Sequence, residues 1–86
     1  MKLSFYERAW DDYLYWQKTN RKTLDKINQL LKQVTRAPFD GEGKPEPMKH
    51  QLANCWSRRI NHEHRLVYRV EDDVVYVMQC RFHYDR

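Results

Sequence analysis

Before Pro38 the apolar residues of this chain recur every three or four positions, and after Pro47 they recur every two. That change of period constrains the fold most, because the first repeat buries a face only as a helix and the second only as a strand. Leu24, Ile27, Leu31 and Val34 step by three, four and three, with Leu30 widening the stripe. The spacing predicts an amphipathic helix over 21–35 that stops short of Pro38. An earlier helix, from about Glu7 to Thr19-Asn20, is expected to set Trp10, Tyr13 and Leu14 on one face and to leave Asp11, Asp12 and Lys18 elsewhere. Ahead of it, KLSFY alternates Leu3 and Phe5 as a short first strand would.

The stretch between the two regimes, Pro38 to Pro47, carries both glycines and all three prolines of the chain, so it reads as a structured loop stiffened by proline. Beyond it, strands are expected over 48–52, 55–60, 64–71 and 74–83, joined by connections short enough for antiparallel hairpins, among them Asp72-Asp73. Trp56, Ile60, Leu66, Tyr68, Val70, Val74, Tyr76, Met78, Cys80 and Phe82 are apolar and even-numbered, which assigns the even face to the helices. Ser57, Arg59, Arg65, Arg69, Gln79, Arg81 and His83 then share the other face, and Val67, Val75 and Val77 suggest that it is cupped. Arg58 breaks the pattern, with a sheet edge as one outlet for its guanidinium. The expected fold class is α+β, a single domain over 1–86 with two N-terminal helices packed on one face of a mostly antiparallel twisted sheet.

With 86 residues the chain supports one modest core. Its 41% hydrophobic and 33% charged content describes a folded domain with a charged surface rather than a disordered one. MKLSFYERAW lacks the apolar stretch of a signal peptide, and no apolar run is long enough for a bilayer, so a cytoplasmic protein with no membrane partner is expected. Cys55 and Cys80 then read as reduced thiols. Between Lys44 and Arg69 six cations face two carboxylates, Glu46 and Glu63. Such a field favours a polyanion such as nucleic acid, although a solvated basic surface has the same composition.

A carboxylate at Glu46, an imidazole at His83 and several guanidiniums on one cupped face are the parts of a metal-free ribonuclease. RNA brings its own nucleophile, so a base for the 2′-OH, an acid for the departing 5′-oxygen and cations for the phosphorane suffice. Each residue also has a plainer reading. Glu46 between two prolines can be an exposed loop acid, and Arg59 and Arg65 can pair across strands with Glu63 or Glu71. His83 can be a frayed terminal histidine and Tyr84 a cap on the core, while His62 and His64 lack partners at metal-ligand spacing and read as turn and edge residues. A non-catalytic RNA- or DNA-binding module and a pure interaction protein docking through its helices remain open beside the nuclease.

Five blocks in one order, WDDYLYWQ, GKPEPMKHQL, WSRRIN, EHRLVYRV and CRFHY, closely resemble the YoeB group of the RelE-like mRNA interferases over the whole chain. The resemblance implies a microbial-ribonuclease-like fold and a toxin that cleaves mRNA in the ribosomal A site without cofactor or metal. It also implies neutralisation by a cognate YefM-like antitoxin, homodimerisation, and operator DNA binding only together with that antitoxin. By the same resemblance Glu46 matches the general base, His83 the general acid and Arg65 the transition-state stabiliser. Lys49 and Arg59 match supporting cations, Tyr84 a residue that helps place the substrate, and Arg81 joins the substrate-binding set. Two departures stand out: Asp85 and Arg86 follow Tyr84, and Ala53-Asn54-Cys55 stands where the family has a Gly-aromatic turn.

Overall fold

The computed structural model describes residues 1–48 and 54–83. In chain order it contains β1 (Lys2–Phe5), α1 (Glu7–Thr19), α2 (Arg21–Val34), β2 (Glu46–Pro47), β3 (Cys55–Arg59), β4 (Arg65–Glu71) and β5 (Val74–Gln79). The five strands form one sheet in the order β1-β5-β4-β3-β2, antiparallel throughout except for the parallel pair β1–β5. The predicted α+β architecture is therefore observed. Most of the strand expected over 48–52 lies outside the described residues, and the strand that pairs with β3 begins two residues earlier, at Glu46.

Helix α2 follows its sequence pattern closely. Asn20 caps it by accepting the Thr23 N–H at 3.1 Å, and Leu24, Ile27, Leu30, Leu31 and Val34 are all buried. Each such side chain contributes about 1.5–3 kcal/mol of burial. Helix α1 departs from expectation. Its buried residues are Ala9, Asp12 and Trp16, and Tyr13 packs against the core, whereas Trp10 stays 47% exposed, stacked on Tyr13 and edge-on to Phe5. Asp12 occupies a core-facing position because a backbone group just beyond the last strand needs an acceptor there, as described below.

Strand parity holds for β3 and β4 but not for β5. The register runs Glu71–Val74, Val70–Val75, Arg69–Tyr76 and Tyr68–Val77, then jumps to Val67–Gln79. Met78 is thus an extra residue in a β-bulge, and the bulge reverses which side chains face the helices. Val75 and Val77 join the core in place of Val74, Tyr76 and Met78, and after the bulge Cys80 turns inward again. Phe82 is exposed rather than buried. On the face away from the helices Cys55, Ser57, Val67 and Gln79 are nevertheless buried, although of the three valines expected there only Val67 lies on it, Val75 and Val77 having joined the core. Both cysteines are free; burial pushes the Cys80 thiol up to about 12 and also raises Cys55.

Arg58 is fully buried and does not emerge at an edge. Its guanidinium donates to the carbonyls of Ala37 at 2.6 Å, Asp40 at 2.7 Å and Glu42 at 3.1 Å. Its Nε donates to the Tyr68 hydroxyl at 3.1 Å, and that hydroxyl donates in turn to the Pro38 carbonyl. Burial raises the Tyr68 phenol, which keeps it a donor. From the other side Lys26, Gln29 and Gln33 of α2 all donate to the Glu42 carboxylate, which lies below the usual carboxylate range for that reason. Gly43, at φ +82°, accepts the Arg59 N–H at 2.7 Å, and a Cβ there would stand 3.0 Å from the Arg59 carbonyl oxygen. Replacing Arg58 by Leu should lower stability by about 3 kcal/mol or more, because several part-buried hydrogen bonds to loop carbonyls are lost together, and Tyr68→Phe should cost about 1 kcal/mol. Urea denaturation midpoints measure both.

Candidate functional site

The loop that Arg58 and α2 hold delivers Glu46 to the edge of the sheet. Glu46 lies opposite Ser57, Ser57 opposite Val67 and Val67 opposite Gln79, so one cross-strand row runs over the face away from the helices. At the usual strand spacing this row is roughly 14 Å long. Arg59 and Arg65 form the next row on the same face, as direct partners of one another. Glu46 is thereby diagonal to Arg59, within reach of a long side chain. His83 closes the far end, since Gln79 Nε2 donates to the carbonyls of Arg81 at 3.0 Å and His83 at 3.1 Å.

The arginine pair does not follow its plainer reading. Glu71 is taken by Arg69, which also stacks over Tyr76 and is raised mainly by its bond to that carboxylate. Among the described residues neither Arg59 nor Arg65 forms an ion pair. Arg65 Nη1 instead donates to the carbonyls of Asn61 at 2.8 Å, His64 at 3.1 Å and His62 at 3.3 Å. Those carbonyls belong to a tight β3–β4 connection in which Asn61 Oδ1 accepts the N–H groups of Glu63 and His64. The guanidinium is thus held in place by neutral oxygens and keeps its whole charge for another partner. Two like charges directly opposite across strands oppose folding, and a fold retains such a conflict where function uses it.

The remaining candidates are distributed less tidily. Strand β5 ends at Gln79, and the chain then turns through Phe82 at φ +67°, so Arg81 and His83 do not continue the strand's alternation as expected. Arg81 lies over the Tyr15 ring of α1, 3.4 Å from its centroid, and against Phe82, and so is not gathered with Arg59 and Arg65. His83 is exposed. Lys49 and Tyr84 lie outside the described residues. His64, expected at an edge, is buried, and its Nδ1 accepts the Phe82 N–H at 2.7 Å. Gln79 and His64 are the two residues at this site whose structural part the sequence reading did not identify. For His64 the signal was present, since it is in phase with Leu66 and Tyr68. Among the described residues no group of three or more His, Cys, Asp and Glu side chains is arranged to hold a metal ion, and no helix is long and apolar enough to cross a membrane.

Comparison with known proteins adds an independent line. Residues 5–84 match the family model of the YoeB-like toxins of bacterial type II toxin–antitoxin systems. The chain is 57% identical over 84 residues to Toxin YoeB of Escherichia coli, a span covering 98% of this chain and 100% of that relative. It is similar in structure to the YoeB dimer from Staphylococcus aureus, with a TM-score of 0.90 at 45% identity, covering 98% of each chain. The heterotetrameric YoeB–YefM toxin–antitoxin complex from the same organism matches with a TM-score of 0.87 at 45% identity and the same coverage.

If Gln79 anchors the far end of the row, Gln79→Leu should leave the fold intact but loosen residues 81–83. Losing two hydrogen bonds of about 1 kcal/mol each raises local opening by roughly 30-fold. Amide hydrogen exchange at Phe82 and His83 reads that directly.

Proposed function

This chain belongs to the YoeB-like toxins of bacterial type II toxin–antitoxin systems, and we propose that it acts as a metal-independent endoribonuclease cutting mRNA in the ribosomal A site, thereby inhibiting translation. The observation that carries this reading is the Arg59–Arg65 pair: adjacent, unneutralised by any described carboxylate, and on the same face as Glu46. A phosphodiester supplies the missing negative charge, and Arg binds two phosphate oxygens at once.

In the proposed reaction Glu46 takes the proton of the 2′-OH, and the 2′-oxygen forms a bond to phosphorus. The phosphorane then expels the 5′-oxygen, to which His83 gives a proton. Arg65 neutralises the charge that develops on the non-bridging oxygens, and its anchoring by three carbonyls means that little reorganisation accompanies the step. Arg59 and Lys49 support it, Arg81 adds positive field at the margin, and Tyr84 stacks on the substrate. The proposed partners are mRNA, the ribosome, a YefM-like antitoxin and a second copy of the chain, with operator DNA bound only in company with the antitoxin, all in the cytoplasm.

Incubating the protein with programmed ribosomes and mapping new 5′ ends tests the reading. Cuts confined to the A-site codon support it, and binding without cuts would favour the non-catalytic RNA-binding module. Because the nucleophile is internal to the substrate, the upstream fragment should end in a 2′,3′-cyclic phosphate or its 3′-phosphate hydrolysis product. Activity should survive chelation of trace transition metals while magnesium is kept for the ribosome, as checked by end-group analysis of the fragments.

Arg65→Ala should lower turnover by about two to three orders of magnitude with far less effect on binding, as befits a preorganised charge stabiliser. Arg65→Lys should restore part of the rate only, since an ammonium lacks the two-point contact. Single-turnover kinetics beside a binding isotherm distinguishes this from a uniform loss of affinity.

A further inference from the structure

Three side chains outside the charged face hold the backbone that leads to His83. Asp12 Oδ2 accepts the Cys80 N–H at 3.1 Å, and Trp16 Nε1–H donates to the Cys80 carbonyl at 2.8 Å. His64 Nδ1 accepts the Phe82 N–H at 2.7 Å, with its ring edge-on between Trp16 and Phe82, centroids 4.8 and 5.9 Å away. The Phe82 carbonyl in turn accepts the Arg65 N–H at 3.0 Å, so that residue is held from both sides.

Phe82 is also strained. A non-glycine residue at φ +67° costs roughly 1–3 kcal/mol and persists only where its surroundings over-determine it. His64 and the Arg65 N–H supply that constraint, and the direction in which the chain leaves Phe82 decides where the next side chain goes. Resting on the reading of His83 as general acid, we propose that His64 is a positioning residue for the reaction, fixing the Phe82 backbone and through it the His83 imidazole.

The hydrogen bond dictates the tautomer. Nδ1 must be unprotonated to accept, which places the proton on Nε2. Burial pushes His64 below the ordinary histidine value; Arg81 and Arg65 push the same way, while Glu63 of its own loop and Asp12 of α1 oppose them. A histidine depressed in the folded state contributes stability that is present above its unfolded value and is lost as pH falls through its folded value. The clasp is therefore closed at neutral pH and opens in acid, when Nδ1 becomes a donor facing a donor.

Two variants separate positioning from packing. His64→Leu keeps an apolar side chain and removes the acceptor, whereas His64→Asn offers an oxygen near the place of Nδ1 and cannot titrate. On programmed ribosomes His64→Leu should lower kcat by up to roughly 100-fold with KM nearly constant, and His64→Asn should recover most of that rate. In NMR spectra the His83 ring resonances and Phe82 amide exchange should shift in His64→Leu and stay near those of the unsubstituted protein in His64→Asn. The unsubstituted protein should also show an acid-side rise in Phe82 exchange, above the intrinsic trend, that His64→Asn lacks.

Unchanged kcat in His64→Leu, equal losses in both variants, or unmoved His83 resonances would each overturn the proposal. Should His64→Leu fail to fold, the acid-side comparison between the unsubstituted protein and His64→Asn decides, and an identical rise in both overturns it. If the unsubstituted protein cuts no mRNA at all, the nuclease reading falls, while the His83 resonances still decide whether His64 positions that imidazole.

Discussion

Everything at the basic face depends on one buried guanidinium. Arg58 gathers three main-chain carbonyls of the 37–42 segment and the Tyr68 hydroxyl into the space between α2 and the sheet. A buried charge is costly unless every donor finds an acceptor, and here neutral carbonyl dipoles do that work, with no carboxylate in an ion pair with it among the described residues. The consequence is positional. The loop is drawn onto β3, Gly43 bonds to the Arg59 N–H, and the chain reaches the sheet edge in register to set Glu46 opposite Ser57. A loop of prolines and glycines is pinned in place because three of its carbonyls share Arg58 as donor while Tyr68 and the Arg59 N–H take those of Pro38 and Gly43.

The other end of the face is built by the same means with different residues. The ladder of β5 stops after the Met78 bulge, leaving the backbone of residues 80–82 in need of partners. Asp12, Trp16 and His64 supply them from the helix side, and Gln79 from the sheet. Asp12 shows what this requires. Burial raises its carboxyl above the ordinary value, partly offset by the Cys80 N–H and by Arg8 and Arg81, so the fold accepts a desolvated acid to satisfy one amide.

How much of this could be read in advance follows from the length scale of each determinant. Helix α2 was legible because periodicity in a single segment dictates it, and β3 and β4 because alternation does. The inner face of α1 was not legible in this way: Trp10 is the larger hydrophobe, yet Asp12 and Trp16 take the inner positions to serve Cys80, 68 and 64 residues away. Likewise β5 carries apolar residues at both parities, so only its register with β4 decides that Val75 and Val77 rather than Val74 and Tyr76 reach the core. Arg58 announced itself as a break in the pattern, but its partners are carbonyls, which no side-chain pattern records. Glu46, Arg59, Arg65 and His83 were identified as candidates from residue type, shared face and resemblance. What holds Glu46 and His83 in place was invisible for the same reason as the partners of Arg58.

The opposed arginines link this architecture to behaviour. Arg59 and Arg65 are forced together by strand register, and no described carboxylate relieves them, so the free protein carries a repulsion that a bound polyanion removes. Whatever binds there and not to the unfolded chain stabilises the fold by RT ln(1 + c/Kd), where c is its free concentration, so the gain grows with the logarithm of concentration over Kd. An RNA phosphate and a carboxylate-rich protein segment offer the same complementary charge, so the feature that would draw substrate also makes the face easy to occlude. The two differ in what else they must fit. Proposed cleavage would need a base and an acid on opposite sides of the phosphate, which the held positions of Glu46 and of the backbone before His83 would suit, whereas occlusion needs only charge and contact. Backbone held by hydrogen bonds at both ends of the row is what the proposed catalysis would require and what a basic patch of equal charge would not.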